Sequence, residues 1–470
     1  MNRRLNNLRR LIPLAAIPAA LILMAPDIQA QQTTPAQQPI AAPSMHSFSL
    51  NEALEYATKN NVKVKNALLD YQIQEQSNRA LTSQALPQIT GSAGFTDYFQ
   101  VPESVVPGSF FASLSPPGTV LPKLLPVAFS VPYTSNAGVT LKQILFDGQV
   151  FVGLKARQTS LDYYRKSQEV TEQMLRANIY KVYYQLLLSR TQIALIDANI
   201  VQVQELQHNT SEMFKNGFAE KLDVDKATVQ LTNLRSEKVQ TLNTVNNGYL
   251  GLKMLIGMPI RDSLALTDTL TYDMVRNGVL SDDYKYGDRR DFQLLEINRK
   301  LNEFDIQRYK KQRIPTASLT ANYSQTGYGL DFSDIYQGHY WYPSSYAALN
   351  ISVPIFDGFN KQANIRKSTL TLQQTQNNIE ALKISIDNDV KQAQSNFATA
   401  LTALDFEKQN MDLAGSVYSQ TRKKFEQGLG SNTEITSAQT DLIQAQNNYF
   451  NALYNAVSAK IDYQNAIGKL

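Results

Sequence analysis

At 470 residues the chain is long enough for two or three ordinary domains. Only 18% of it is charged and 9% aromatic, and the Asn, Gln, Ser and Thr that fill the balance suit surfaces wetted on both sides. The formal charge of +4 falls to about +1 once the first 30 residues are set aside, so no basic stripe argues for nucleic acid, and the lack of any cysteine excludes a disulfide framework and a lipidated cysteine.

Residues 1–30 read as a secretory signal. Arg3, Arg4, Arg9 and Arg10 precede an apolar run from Leu11 to Pro26, and Ile28-Gln29-Ala30 is a cleavage site of the small-residue type. The run holds Pro13, Pro18 and Pro26 and is too short for a membrane anchor. Residues 31–48 are a Gln-, Pro- and Thr-rich flexible lead-in. Ser49 with Glu52 three residues on has capping-box spacing, and predicts a helix running to about Ala85, before Pro87.

Four segments alternate with period two and predict strands at 88–99, 134–146, 316–328 and 345–356. In the first, Ile89, Gly91, Ala93 and Phe95 share one face; in the last, Ala347, Leu349, Ile351 and Val353 do so. Each strand thus has a greasy and a polar side. The loop inside the first pair is the longer and carries Pro102, Pro107, Pro116, Pro117, Pro122, Pro126 and Pro132. The second loop carries Tyr336, Tyr340, Trp341, Tyr342 and Tyr346, ring types that collect at membrane–water interfaces.

Long helices follow each strand pair. Residues 154–216 contain neither Gly nor Pro, and 359–414 are equally unbroken. Such a run spans on the order of 95 Å. Ile179, Leu186, Ile193 and Ile200 fall seven apart, as a coiled-coil seam requires. In the last helix Ala438, Ala445, Ala452, Ala459 and Ala466 also recur every seven residues, a column that lets neighbouring backbones approach closely. Residues 258–288 lose this periodicity and form a connector.

The chain is duplicated. Phe146-Asp147-Gly148 returns as Phe356-Asp357-Gly358, an offset of 210 residues. Phe214-x-x-Gly217 returns as Phe425-x-x-Gly428, and Gly257 as Gly468, at an offset of 211. The halves are 49–257 and 289–470. Four amphipathic strands cannot stand alone in lipid, because their edges would leave backbone groups unpaired at several kcal/mol each. Bacterial barrels close with at least about eight strands, so chains must combine.

This order of helix, strand, strand, Phe-Asp-Gly and long helix, stated twice, resembles the TolC-like outer membrane efflux proteins. The hairpin turns Phe214-Lys215-Asn216-Gly217-Phe218 and Phe425-Glu426-Gln427-Gly428-Leu429 match that family's periplasmic tips. The resemblance covers 49–470 and implies a mostly α fold with a small β part. It implies a homotrimer with a twelve-stranded barrel in outer-membrane lipid and a helical tunnel across the periplasm. It also implies a periplasmic adaptor protein, docked at Gly217, Phe218, Ala219 and Gly428, Leu429, Gly430, and through it an inner-membrane pump. The long Pro-rich first loop and the missing lipidation cysteine depart from part of the family.

Other residues carry expectations of their own. Asp147 and Asp357 are expected to cap the helices that follow, with Gly148 and Gly358 turning the chain at positive φ. Asp405 and Asp412, seven apart, share a helix face; in a trimer they would form two acidic rings near the tunnel mouth, a candidate gate, against the simpler reading of a solvated face. No catalytic constellation, phosphate-binding loop or cofactor motif is legible, and His46, His208 and His339 lack metal-ligand spacing. The expected function is a passive exit duct of a tripartite efflux or type I secretion system. The competing expectations are an exported coiled-coil spacer or adhesin and, more remotely, an exported hydrolase.

Overall fold

The computed structural model describes residues 44–116, 118–276, 283–338 and 340–470. The expected signal segment, the lead-in up to residue 43, Pro117 and His339 lie outside the described residues. A short strand, β1 (Met45–Phe48), precedes α1 (Leu50–Asn60) and α2 (Val62–Ser83). Ser49 and Glu52 form the capping box that starts α1. The single helix expected to run to Ala85 is broken at Asn61. Its extended backbone ends α1, while its side-chain oxygen accepts the N–H groups of Lys63 and Val64 and so starts α2.

Next come β2 (Gln88–Asp97), a ribbon of β3 (Glu103–Pro107) and β4 (Leu124–Ala128), and β5 (Tyr133–Phe146). The ribbon lies inside the Pro-rich loop, where period-two alternation is interrupted and a strand is not legible. The first pair of rods is α3 (Gly148–Lys215) and α4 (Lys221–Ile256). The connector holds β6 (Ser263–Leu266), which pairs with β1, and α5 (Tyr272–Arg276). The second half repeats the plan with α6 (Arg290–Lys311), β7 (Thr316–Gly329), α7 (Phe332–Gln337), β8 (Trp341–Ser352), α8 (Asn360–Glu426) and α9 (Asn432–Ala466). At 68 residues α3 is about 100 Å long. β8 starts and stops four residues before its expected bounds. Trp341 and Tyr342 still pair with Gly327 and Thr326, whereas Pro354 has no N–H to continue the ladder.

The main sheet is antiparallel in the order β2-β5-β7-β8. Along the rods the seams are apolar. Ile179, Leu186, Ile196 and Val203 of α3 are buried, as are Ala438, Ala452 and Ala466 of the alanine column in α9. Tyr183, Leu252 and Ile256 join Ala53 and Ala57 of α1 in one core cluster; Ile386, Phe397 and Tyr463 centre another between α8 and α9. Among the described residues no helix is long and apolar enough to cross a membrane.

Candidate functional site

The sheet is the first functional element. Its register lines up like with like. Ile89, Leu141, Ala321 and Ala347 form one cross-strand row, and Leu319 with Leu349 another, on the same face. Thr90, Thr140, Asn322 and Tyr346 form a row on the opposite face. There Asn322 donates to Thr140 Oγ1 at 2.9 Å and Asn350 to Thr320 Oγ1 at 3.2 Å. One face can meet lipid and the other water, as barrel walls require. Each outer strand is paired on one side only, β2 with β5 and β8 with β7, and every residue of β2 is exposed, as is nearly all of β8.

The aromatic residues divide between the faces. Trp341 belongs to the apolar row with Phe95, Ser135 and Gly327. Its ring lies where a Cβ on Gly327 would be, 2.7 Å away, and its indole N–H donates to Ile335 O at 3.1 Å. Phe332 of α7 meets Phe95 and Tyr133 edge-on, so α7 folds over the apolar face at the end far from the rods. Tyr342 and Tyr346 stand on the other face.

The strand-to-rod turns use one motif in two ways. Asp147 caps α3 by accepting Gln149 N–H at 2.8 Å. Gly148 is buried without positive φ. A Cβ there would lie 2.7 Å from Ile314 Cδ1, so this glycine allows the α6 end to approach, and the expected positive φ is corrected. In the second copy Gly358 does turn at φ 64°, and Phe359 follows at φ 65°, the only described non-glycine residue with positive φ. Asp357 accepts Lys361 N–H at 3.0 Å.

The opposite ends of the rods carry a shared geometry. Phe218 N–H reaches Met213 O at 2.8 Å and Gly217 N–H reaches Phe214 O at 3.0 Å; Leu429 and Gly428 make the same bonds to Lys424 and Phe425, at 2.9 and 3.0 Å. With Gly217 at φ 77° and Gly428 at φ 72°, each is a Schellman turn. The returning helices start with capping boxes, Glu220–Asp223 and Ser431–Glu434. Phe218 and Leu429 are thereby held out at 79% and 77% exposure, while Ala219 and Gly430 tuck inward. Beside the tips a groove of about 500 Å³ runs between α4 and α9, lined by Leu222, Val229, Leu234 and Ile443 with Asp225 and Lys226 at its edge.

Asp405 and Asp412 lie seven residues apart on α8, some 20–30 Å from its last turn at 1.5 Å per residue. Asp405 accepts a short hydrogen bond from Tyr272 of α5, which also receives Arg276 at 3.2 Å. Asp412 is paired with Lys408 at 3.2 Å, and that ammonium lies over the Tyr272 ring. The connector is fastened elsewhere in the same way, and sequence reasoning missed it. Tyr284 and Tyr286 donate to the two oxygens of Asp387 at 2.6 and 3.1 Å, and Tyr183 donates to Asp268 Oδ2 at 3.0 Å. The bond to Asp387 pushes the Tyr284 hydroxyl up to about 12, and the bond to Asp405 raises Tyr272. The available signal was three tyrosines, Tyr272, Tyr284 and Tyr286, in a segment without helical or strand period.

A sheet with an apolar and a polar face, continued in each half by a rod about 100 Å long, α3 or α8, that turns back into a shorter one, defines a channel-forming protein of the bacterial envelope. The chain belongs to the outer membrane efflux protein family, whose sequence model matches residues 53–258 and 287–469. It is similar to the outer membrane protein TolC of Vibrio cholerae, at 23% identity over 71% of this chain and 77% of the relative. It is also similar to the outer membrane efflux protein BepC of Brucella suis, at 22% identity over 90% and 86%. The solved structure of CusC superposes with a TM-score of 0.71 at 17% identity, covering 92% of this chain and 95% of that one. The protein is an outer-membrane exit duct of the efflux and type I secretion class, with its rods extending into the periplasm.

Proposed function

We propose that three copies assemble into a passive duct. The carrying observation is the four-stranded sheet with a lipid face and two unpartnered edges, β2 and β8. An edge left open in hydrocarbon costs several kcal/mol per backbone group. Head-to-tail pairing of β2 with β8 of the next copy removes both edges and closes a ring. Three copies give the twelve strands that the family resemblance implies. The edge rods suit the same ring: Val229, Val239 and Met254 of α4 and Ile384, Phe406 and Leu413 of α8 are apolar and exposed.

At the periplasmic end the Schellman turns present Phe218 and Leu429 beside the apolar groove, and these are the proposed contacts of an adaptor that couples the duct to an inner-membrane pump. Transport energy comes from that pump, and the duct itself catalyses nothing. Asp405 and Asp412 remain the proposed gate, in a form that follows their contacts: Asp405 ties rod α8 to the connector, and Asp412 with Lys408 sits beside that tie. The test of the duct is conductance. Protein purified from the outer-membrane fraction should open stepwise, ohmic channels in planar bilayers. Outer-membrane protein that never conducts, in any orientation, would instead support a coiled-coil spacer or adhesin.

A further inference from the structure

The hairpin of β2 and β5 does not end at the rim of the sheet. Tyr98 N–H donates to Pro132 O at 2.8 Å, and the two arms pair again as β3 and β4, from Glu103↔Ala128 to Pro107↔Leu124. Of the 35 residues from Tyr98 to Pro132, only Glu103 and Lys123 are charged. Phe99 is fully exposed, and Val105, Phe110, Leu114 and Val120 are each more than 60% exposed. A two-stranded ribbon is marginal in water by itself, and a contiguous apolar surface of this kind marks a contact site.

The second loop stands at the same end of the sheet. Its α7 folds over the apolar face, where Phe332 meets Phe95 of β2 and Tyr133 of β5, and Leu330 and Tyr336 stay exposed, as does Tyr342 at the start of β8. We infer that the ribbon of each copy seats on the second loop of the adjacent copy, so that the ribbons form an intersubunit collar at the end of the barrel far from the rods. The inference rests on the ring closure proposed above. β2 runs directly into the ribbon, and β8 is entered directly from the second loop. Antiparallel pairing of those two edges places the outer end of β2 beside the outer start of the next copy's β8, and with them the ribbon beside the loop. The ribbon brings aliphatic and Phe side chains, and the loop brings Tyr rings whose hydroxyls can stay in water. With two charges in its whole length, the ribbon loses little hydration on being covered.

The chain has no cysteine, so introduced thiols are the only ones present. Phe99→Cys combined with Tyr336→Cys or with Tyr342→Cys should, with a flexible bis-maleimide, give denatured bands of two and three chains from intact outer membranes. Phe99→Cys with Phe218→Cys, at opposite ends of the molecule, should give monomers only. Ala93→Cys with Ala347→Cys, on the two sheet edges, reports ring closure itself. If that edge pair links chains while the ribbon pairs link nothing, or link only within one chain, the collar is wrong and the ring stands. If the edge pair also fails to link chains, the ring and the collar both fall. As a second measurement, replacing residues 99–131 by a Gly-Ser turn should lower the temperature at which the detergent-resistant assembly dissociates. An unchanged temperature overturns the collar.

Discussion

Single residues decide how the duplicated halves diverge. Gly217, Gly257, Gly428 and Gly468 all adopt positive φ at rod ends, with Met258 and Lys469 making the same long turn bonds as Phe218 and Leu429. The repeat period therefore preserves a backbone requirement. Gly428→Ala should destabilise its tip by about 1 kcal/mol, because a Cβ is unfavourable there, and should speed proteolysis at that turn. Gly148 and Gly358 are equivalent in sequence and different in reason: one makes room for Ile314, the other turns the chain. Gly148→Ala should cost about 1–3 kcal/mol through overpacking, read as a lower unfolding midpoint in detergent, and Ile314→Ala should recover part of it. Both glycines were legible as turn signals. Their difference was not, because it depends on where α6 arrives.

At the level of elements, the rods are joined by recurrent devices. Asn61 donates to Leu255 O at 2.6 Å, and Arg289 donates to Ala466 O at 3.2 Å. Leu255 and Ala466 are 211 residues apart, so each half caps its returning rod from the start of its own short helix. One half uses an amide and the other a guanidinium, which hides the equivalence in the sequence. The connector is held by tyrosine-to-aspartate bonds. Tyr183 is fully buried, and Tyr183→Phe would leave Asp268 short of a donor. Unfolding in detergent should show a loss of about 1–3 kcal/mol.

The Tyr284 anchor has a definite pH sign. Its folded-state pKa lies above the ordinary tyrosine value near 10, so the anchor contributes fully below that value and is lost only as pH climbs through about 12. In an alkaline ultraviolet titration, Tyr284→Phe should therefore remove a late-ionising tyrosine and leave the early ones in place. Asp412→Ala should raise single-channel conductance if the Asp412–Lys408 pair restrains the rod. Unchanged conductance and unchanged cation block would dismiss that gate.

For the whole molecule, the separation of lipid face, rod and tip along one chain links structure to export. Each end can be disabled alone. Phe218→Asp with Leu429→Asp should leave bilayer conductance intact while sensitising cells to dyes and detergents, since the exposed apolar tips are lost but the barrel is untouched. Conductance lost together with resistance would instead mean that the tips serve folding. Deletion of the chain separates its two transport classes: sensitivity to small toxic molecules marks efflux, and loss of one exported protein marks secretion.

The sequence by itself determined the duplication, the period-two strands, the unbroken rods and the turn at each end. These are local properties, set by alternation, heptads and the few residues that tolerate positive φ. Only the tertiary structure decided that α1 stops at Asn61, that a ribbon stands inside the Pro-rich loop, and that Asp405 accepts a hydrogen bond from Tyr272. Those outcomes depend on partners 133 residues away in one case and on cross-strand pairing in another. Contacts between residues so distant in the chain leave no period to read, because their spacing is set by how the rods and sheet are laid side by side.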